Sequence, residues 1–181
     1  MSGFRRLDEE VVHRAARFTV ARGRFSGPDG SDFERDVVHH PGAVAVVPLH
    51  DDGTVTLVRQ YRAALDDHLI EVPAGLRDVE GEPDEVTAAR ELVEEVGLAG
   101  STLELLVTFR NSPGFCDESV AVFLATGLEH VDDDRQGVEE EAMEVLRIGL
   151  ADALAMVDRG EITDAKTVIG LTLTARRTGQ P

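Results

Sequence analysis

Aromatic residues fill only 4% of the 181 positions, with no tryptophan and a single tyrosine, Tyr61, so ring placement marks no binding site. The one cysteine, Cys116, excludes an internal disulfide and fits a reducing compartment. No apolar run approaches the roughly 18 residues that a membrane span needs. The first ten residues, Met1 to Glu10, lack the apolar stretch of a signal peptide, and a cytoplasmic location is expected. Positive charge is scarce: 18 Lys and Arg face 35 Asp and Glu, for a net charge of −17. Such a polyanion repels nucleic-acid backbones, and neither nucleic acid nor membrane is expected as a partner. An anionic small substrate meets the same repulsion unless metal cations intervene. Hydrophobic residues at 42% supply a real core and exclude wholesale disorder.

The charge is uneven. Residues 1–36 are neutral overall, so the entire excess of −17 lies in 37–181. Strands are expected at 18–24 and 32–39, and around the turn Asp51-Asp52-Gly53 at 43–49 and 54–61, which reads as a hairpin. Further strands are expected at 68–72, 102–109, 120–126 and 143–148, and helices at 85–96, 151–159 and 165–176. The order implies a mixed α/β fold. Two parts are expected: a β element over 1–40, and a domain over 41–181.

The helix at 85–96 carries the chemistry. At about 100° per residue, Glu91, Glu94 and Glu95 share an arc of roughly 100°. Val86, Ala89, Val93 and Val96 fall on the opposite side, which is expected to dock on the core. A generic Glu-rich helix has a solvated acidic face. Here the glycine-led approach, Glu82 and the embedded Arg90 argue for convergent carboxylates, which suit hard divalent cations.

Residues 75–98 resemble the Nudix box, Gly-x5-Glu-x7-Arg-Glu-U-x-Glu-Glu-x-Gly-U, with U a large aliphatic residue. Glu82, Arg90, Glu91, Leu92, Glu94, Glu95, Gly97 and Leu98 match, while six residues rather than five separate Gly75 from Glu82. Glu71-Val72-Pro73-Ala74-Gly75, Gln60-Tyr61-Arg62, Ser112-Pro113-Gly114-Phe115-Cys116-Asp117-Glu118 and Asp164-Ala165-Lys166-Thr167 are similar to the ADP-ribose pyrophosphatase subgroup. The extra residue is similar to that of actinobacterial members. The resemblance implies an α/β/α sandwich around a mixed sheet and a homodimer with exchanged N-terminal strands. It implies Mg²⁺-dependent hydrolysis of ADP-ribose, with Mn²⁺ as a possible substitute. Another nucleoside diphosphate sugar or a dinucleotide, or a non-catalytic ADP-ribose sensor, are the alternatives.

The same resemblance assigns roles. Glu91, Glu95 and the Ala74 carbonyl hold metal, with Glu94 assisting. Glu82, Arg90, Gly75 and Gly97 shape the motif, Arg90 by ion pairing with Glu82 or a neighbour. Arg62 ends a strand, where a guanidinium can take a phosphate. Arg35 matches a substrate-contacting arginine, although Asp36 stands where the subgroup carries Glu. Ser112 and Glu118 flank a loop with Pro-Gly that suits wrapping a sugar, the alternative being an ordinary polar turn. In the run Glu139-Glu140-Glu141, Glu139 is the first choice for catalytic base and Glu141 for a further metal ligand, with the register open by one position. As a charge run, the same three residues read as a solvated loop. His39-His40 lacks zinc-ligand spacing, and Cys116 reads as an inert packing residue.

Overall fold

The computed structural model describes residues 3–132 and 142–179. Ten strands and three helices follow one another among them. They are β1 (Arg5–Arg14), β2 (Thr19–Ser26), β3 (Asp32–His39), β4 (Ala43–Pro48), β5 (Thr54–Arg62), β6 (Asp67–Glu71) and β7 (Ala74–Leu76). Then come α1 (Asp84–Val96), β8 (Leu98–Arg110), β9 (Ser119–His130), β10 (Glu144–Gly149), α2 (Leu150–Asp158) and α3 (Ala165–Thr178). The chain forms two compact units, Met1–Gly42 with Phe109–Ser119, and Ala43–Thr108 with Val120–Pro181.

The first unit holds the antiparallel sheet β1-β2-β3. Phe25 and Phe33 are directly paired across β2 and β3, and their rings stack at 5.5 Å. Strand β1 is largely charged and exposed, so no apolar alternation announces it; pairing with β2 holds it, with register shifts at Arg6/Asp8 and Val11/His13.

In the second unit a four-stranded sheet runs β7-β4-β9-β8, with β4 parallel to β9 and antiparallel to β7. This is the expected mixed sheet. Alternate residues of β4 serve opposite faces. Val44 and Val46 join Ala121 and Phe123 in a core with Ala88, Leu92 and Val96 of α1. On the other face Gly170 of α3 lies so close that an added Cβ would meet Val47 at 2.8 Å and Val122 at 3.2 Å. Helices on both faces explain why β4 and the first half of β9 are continuously apolar rather than alternating. The layers are those of an α/β/α sandwich.

One expectation needs correction. The turn at Asp51-Asp52-Gly53 forms, closed by the Gly53 N–H on the His50 carbonyl at 3.0 Å, and Leu49 bridges Val55. Beyond that bridge no hairpin continues. β4 stays in the four-stranded sheet, whereas β5 lies between β10 and β6 in a separate three-stranded sheet. Both strands are buried, and each finds better partners elsewhere. Among the described residues no helix is long and apolar enough to cross a membrane.

Candidate active site

Asp84 and Glu85 occupy the first turn of α1, where the helix dipole favours negative charge. Gly97 ends the helix in the left-handed conformation (φ 62°), its N–H donating to the carbonyls of Leu92 and Val93. Which face packs differs from the sequence expectation. The buried residues are Thr87, Ala88, Glu91, Leu92, Glu95 and Val96, whereas Val86 is half exposed and Ala89 is exposed. The helix docks through Ala88, Leu92 and Val96, and that geometry carries the neighbouring Glu91 and Glu95 inward. Glu91 and Glu95 thus lie on the packed side, while Glu94 stays partly exposed.

Burying a carboxylate is costly unless it is paired or hydrogen-bonded. Glu91 and Glu95 are 9% and 5% exposed. Glu95 Oε2 accepts the Ala74 N–H at 3.0 Å. Glu91 lies against Gly75, where an added Cβ would overlap its carboxylate. The short strand β7 therefore receives both side chains, one by a backbone donor and one by a missing side chain. Arg90 Nη1 binds Glu91 at 2.8 Å and Glu94 at 2.9 Å, and Nη2 lies 3.5 Å from both Glu82 and Asp78. Burial works against the charge on Arg90, but Glu91, Glu94 and Glu82 outweigh it and raise its pKa.

Among the described residues no three His, Cys, Asp or Glu side chains are already gathered as a metal cage. The donor chemistry nevertheless fits a hard divalent cation: two buried carboxylates one helical turn apart, beside a strand that gives Glu91 room.

A second charged cluster lies in the same unit. Arg62 binds Glu71 through two hydrogen bonds, Nε to Oε1 and Nη2 to Oε2, each 2.6 Å. Glu71 is fully buried and also pairs with Lys166. Its desolvation is outweighed by these cations, so its pKa is lowered, and the Glu71 hydrogen bond raises that of Arg62. Asp164 caps α3 by accepting from the Thr167 N–H at 3.0 Å and hydroxyl at 2.6 Å. The Thr167 hydroxyl in turn accepts the Val72 N–H at 2.9 Å. Sequence reasoning gave Glu71 and Lys166 no role. The signal is a lone carboxylate ending the apolar stretch Leu69-Ile70, three residues before Ala74.

Arg35, Ser112 and Glu118 belong to the first unit. The Arg35 guanidinium lies 4.9 Å over the Phe33 ring and donates to the Glu34 carbonyl at 2.7 Å. The Ser112 carbonyl accepts the N–H groups of Phe115 and Cys116, making a tight turn. Glu118 pairs with Asn111 at 2.7 Å and His40 at 3.4 Å. Asp36 is engaged by Arg22 at 3.0 Å. His39, set aside above only as a zinc ligand, sits between two carboxylates: Nδ1 is 2.5 Å from Asp117 and Nε2 is 2.7 Å from Glu9. Glu139, Glu140 and Glu141 lie outside the described residues.

The structure therefore brings together Ala74, Gly75, Glu91 and Glu95, and separately Arg90 with Glu82, Glu91 and Glu94. The profile of the NUDIX domain matches residues 39–168. The chain is 44% identical to an ADP-ribose pyrophosphatase of Mycobacterium tuberculosis over 93% of its own length and 81% of the relative's. It is 42% identical to an ADP-ribose pyrophosphatase of Bacillus subtilis over 80% and 77%. It is 36% identical to a GDP-mannose pyrophosphatase of Citrobacter koseri over 74% and 77%. A solved structure titled "Crystal structure of ADP compounds hydrolase" superposes with a TM-score of 0.84 at 24% identity, covering 98% of this chain and 97% of that one, and shares the fold.

Proposed function

This chain belongs to the Nudix family of hydrolases, and we propose that it hydrolyses the diphosphate of ADP-ribose to AMP and ribose 5-phosphate in the cytoplasm, using Mg²⁺. The observation that carries the reading is the pair of buried carboxylates, Glu91 and Glu95, held against Ala74 and Gly75. The choice of substrate is supported by the two relatives named ADP-ribose pyrophosphatase.

Glu91, Glu95 and the Ala74 carbonyl would hold the divalent cation, with Glu94 assisting. When bound, the cation supplies positive charge for the diphosphate and makes the attacking water more acidic. Glu139 would take a proton from the attacking water, and Glu141 would be a further ligand. Arg62 takes a phosphate: Glu71 fixes its Nε and Nη2, and the side chain remains about a third exposed (38%). Arg35, Ser112 and Glu118 hold the rest of the substrate. Two copies assemble with exchanged N-terminal strands, a reading supported by the exposed Val11, Val12 and Phe18 of the first unit.

A second reading, cleavage of another nucleoside diphosphate sugar, draws on the relative named GDP-mannose pyrophosphatase. Turnover with Mg²⁺ is to be compared across ADP-ribose, GDP-mannose and dinucleoside polyphosphates. The highest kcat/KM is expected for ADP-ribose. A higher value for another compound transfers the assignment to it, and binding of ADP-ribose without any turnover makes the protein a sensor.

A further inference from the structure

The Lys166–Glu71 contact is absorbed by none of the roles above. Glu71 is fully buried between two cations: both carboxylate oxygens are taken by Arg62, and Oε2 also by Lys166. An isolated Arg–Glu pair is neutral, and a guanidinium paired in that way offers an incoming phosphate little net attraction. Here one carboxylate is shared by two cations. Two further acids, Asp164 and Glu95, bear on Arg62. Glu95 is engaged by the Ala74 N–H, and Asp164 lies 3.0 Å from Lys166 while its other oxygen accepts two hydrogen bonds from Thr167 at the positive end of α3. Much of the Asp164 charge is thereby met by the helix, and the charge of Lys166 is left to bear on Glu71.

We propose that Lys166 is a positioning residue for Arg62: by sharing the buried Glu71 carboxylate, it leaves the Arg62 guanidinium fixed in orientation and electropositive toward a substrate phosphate. This rests on the phosphate-binding reading of Arg62 given above. Lys166 itself is mostly buried, at 13% side-chain exposure, against 38% for Arg62, so the arginine presents the accessible charge and the lysine supports it. The motif Asp164-Ala165-Lys166-Thr167 then has two linked tasks. Thr167 and Asp164 tie the start of α3 to Val72, and Lys166 sets the charge balance around Glu71.

The test is steady-state kinetics with Mg²⁺ and ADP-ribose on Lys166→Met, Lys166→Arg, Arg62→Met and the double variant. Lys166→Met is expected to raise KM about tenfold, the scale of one lost charge-assisted interaction, with kcat changed less than about threefold. Lys166→Arg is expected to recover most of the loss, since it keeps the charge. In the Arg62→Met background, Lys166→Met is expected to add less than about twofold, because the residue it supports is gone. Should Lys166→Met fail to fold by circular dichroism, Lys166→Gln, which keeps a hydrogen bond to Glu71 without the charge, gives the same reading. If Arg62→Met raises KM while both neutral lysine variants leave it within twofold, the positioning role falls and the phosphate reading stands. If Arg62→Met leaves KM unchanged, both fall. A loss confined to kcat, or one fully additive with Arg62→Met, also overturns the positioning role.

Discussion

The carboxylate of Glu91 occupies the space in which a side chain at Gly75 would begin. A residue on α1 and a residue on β7 therefore depend on each other's shape, and the glycine is required for close approach rather than for a turn.

Gly75→Ala forces Glu91 away from β7. The expected outcome is a fall in kcat/KM of about 10²-fold, the scale of a displacement of roughly 1 Å at a reacting centre. Thermal unfolding should show an overpacking loss of about 1–3 kcal/mol. Unchanged kinetics in a folded variant would mean that Glu91 does not serve the reaction from its observed position.

Glu95→Gln keeps the side chain's size while removing its charge. Both kcat and the apparent affinity for Mg²⁺ are expected to fall, with part of the loss recovered at high Mg²⁺. Treatment with EDTA should abolish turnover of the unmodified protein, and excess Mg²⁺ or Mn²⁺ should restore it. Full activity in metal-free buffer defeats the cation assignment.

Glu139→Gln, Glu140→Gln and Glu141→Gln form one series. Glu139→Gln is expected to lower kcat by about 10²–10⁴-fold with no rescue by added metal, as for a lost general base. Glu141→Gln is expected to respond to metal. If none of the three shows a metal-independent loss, the base lies elsewhere.

His39 gives a pH test. The Asp117 hydrogen bond raises its pKa above the ordinary 6.5; burial works against that, and the Glu9 hydrogen bond adds to the rise. On its Glu9 side the other charged group is Arg6, 2.9 Å from that carboxylate. A raised folded pKa means stability that is complete below pH 6.5 and lost as pH rises through the folded value. Asp117 has the opposite sign. Burial would raise its pKa, but the His39 hydrogen bond prevails and lowers it below 3.8, so its share is present above 3.8 and lost in acid. The gap in thermal midpoint between the natural protein and His39→Gln is expected to be widest between those limits and to narrow in alkali. A gap that grows above pH 7 contradicts the pairing.

The native mass is expected to be twice 19.6 kDa, measured by light scattering, and removal of residues 1–36 is expected to cost activity. A fully active monomer in dilute solution rules out the exchanged dimer.

Eight of the ten strands, the three helices and the mixed class were legible because apolar runs, Asp-Gly turns and the Pro83-to-Gly97 helix frame are local signals. Four things were not. Strand β7, three residues long, is too short to show a period. Strand β1 carries no alternation, since it is held by pairing rather than by a buried face. The hairpin at Gly53 was misread because turn chemistry fixes a reversal, whereas the allegiance of β4 to β9 and of β5 to β10 depends on distant strands. The docking face of α1 was misread because a helical wheel treats carboxylates as solvent-seeking. Only the third dimension reveals that Ala88 and Leu92 draw Glu91 and Glu95 inward.

The parallel pairing of β4 with β9 sets the order in which the second unit can be made. Ala43 lies beside Val120, so the central sheet cannot close until the whole intervening chain, including α1, has left the ribosome. Until then β4 has apolar side chains on both faces and no β9 beside it. Such non-local closure slows folding and lengthens the exposure of sticky intermediates. Yield on refolding is therefore expected to be governed by concentration and temperature during that interval, more than by the stability of the finished protein.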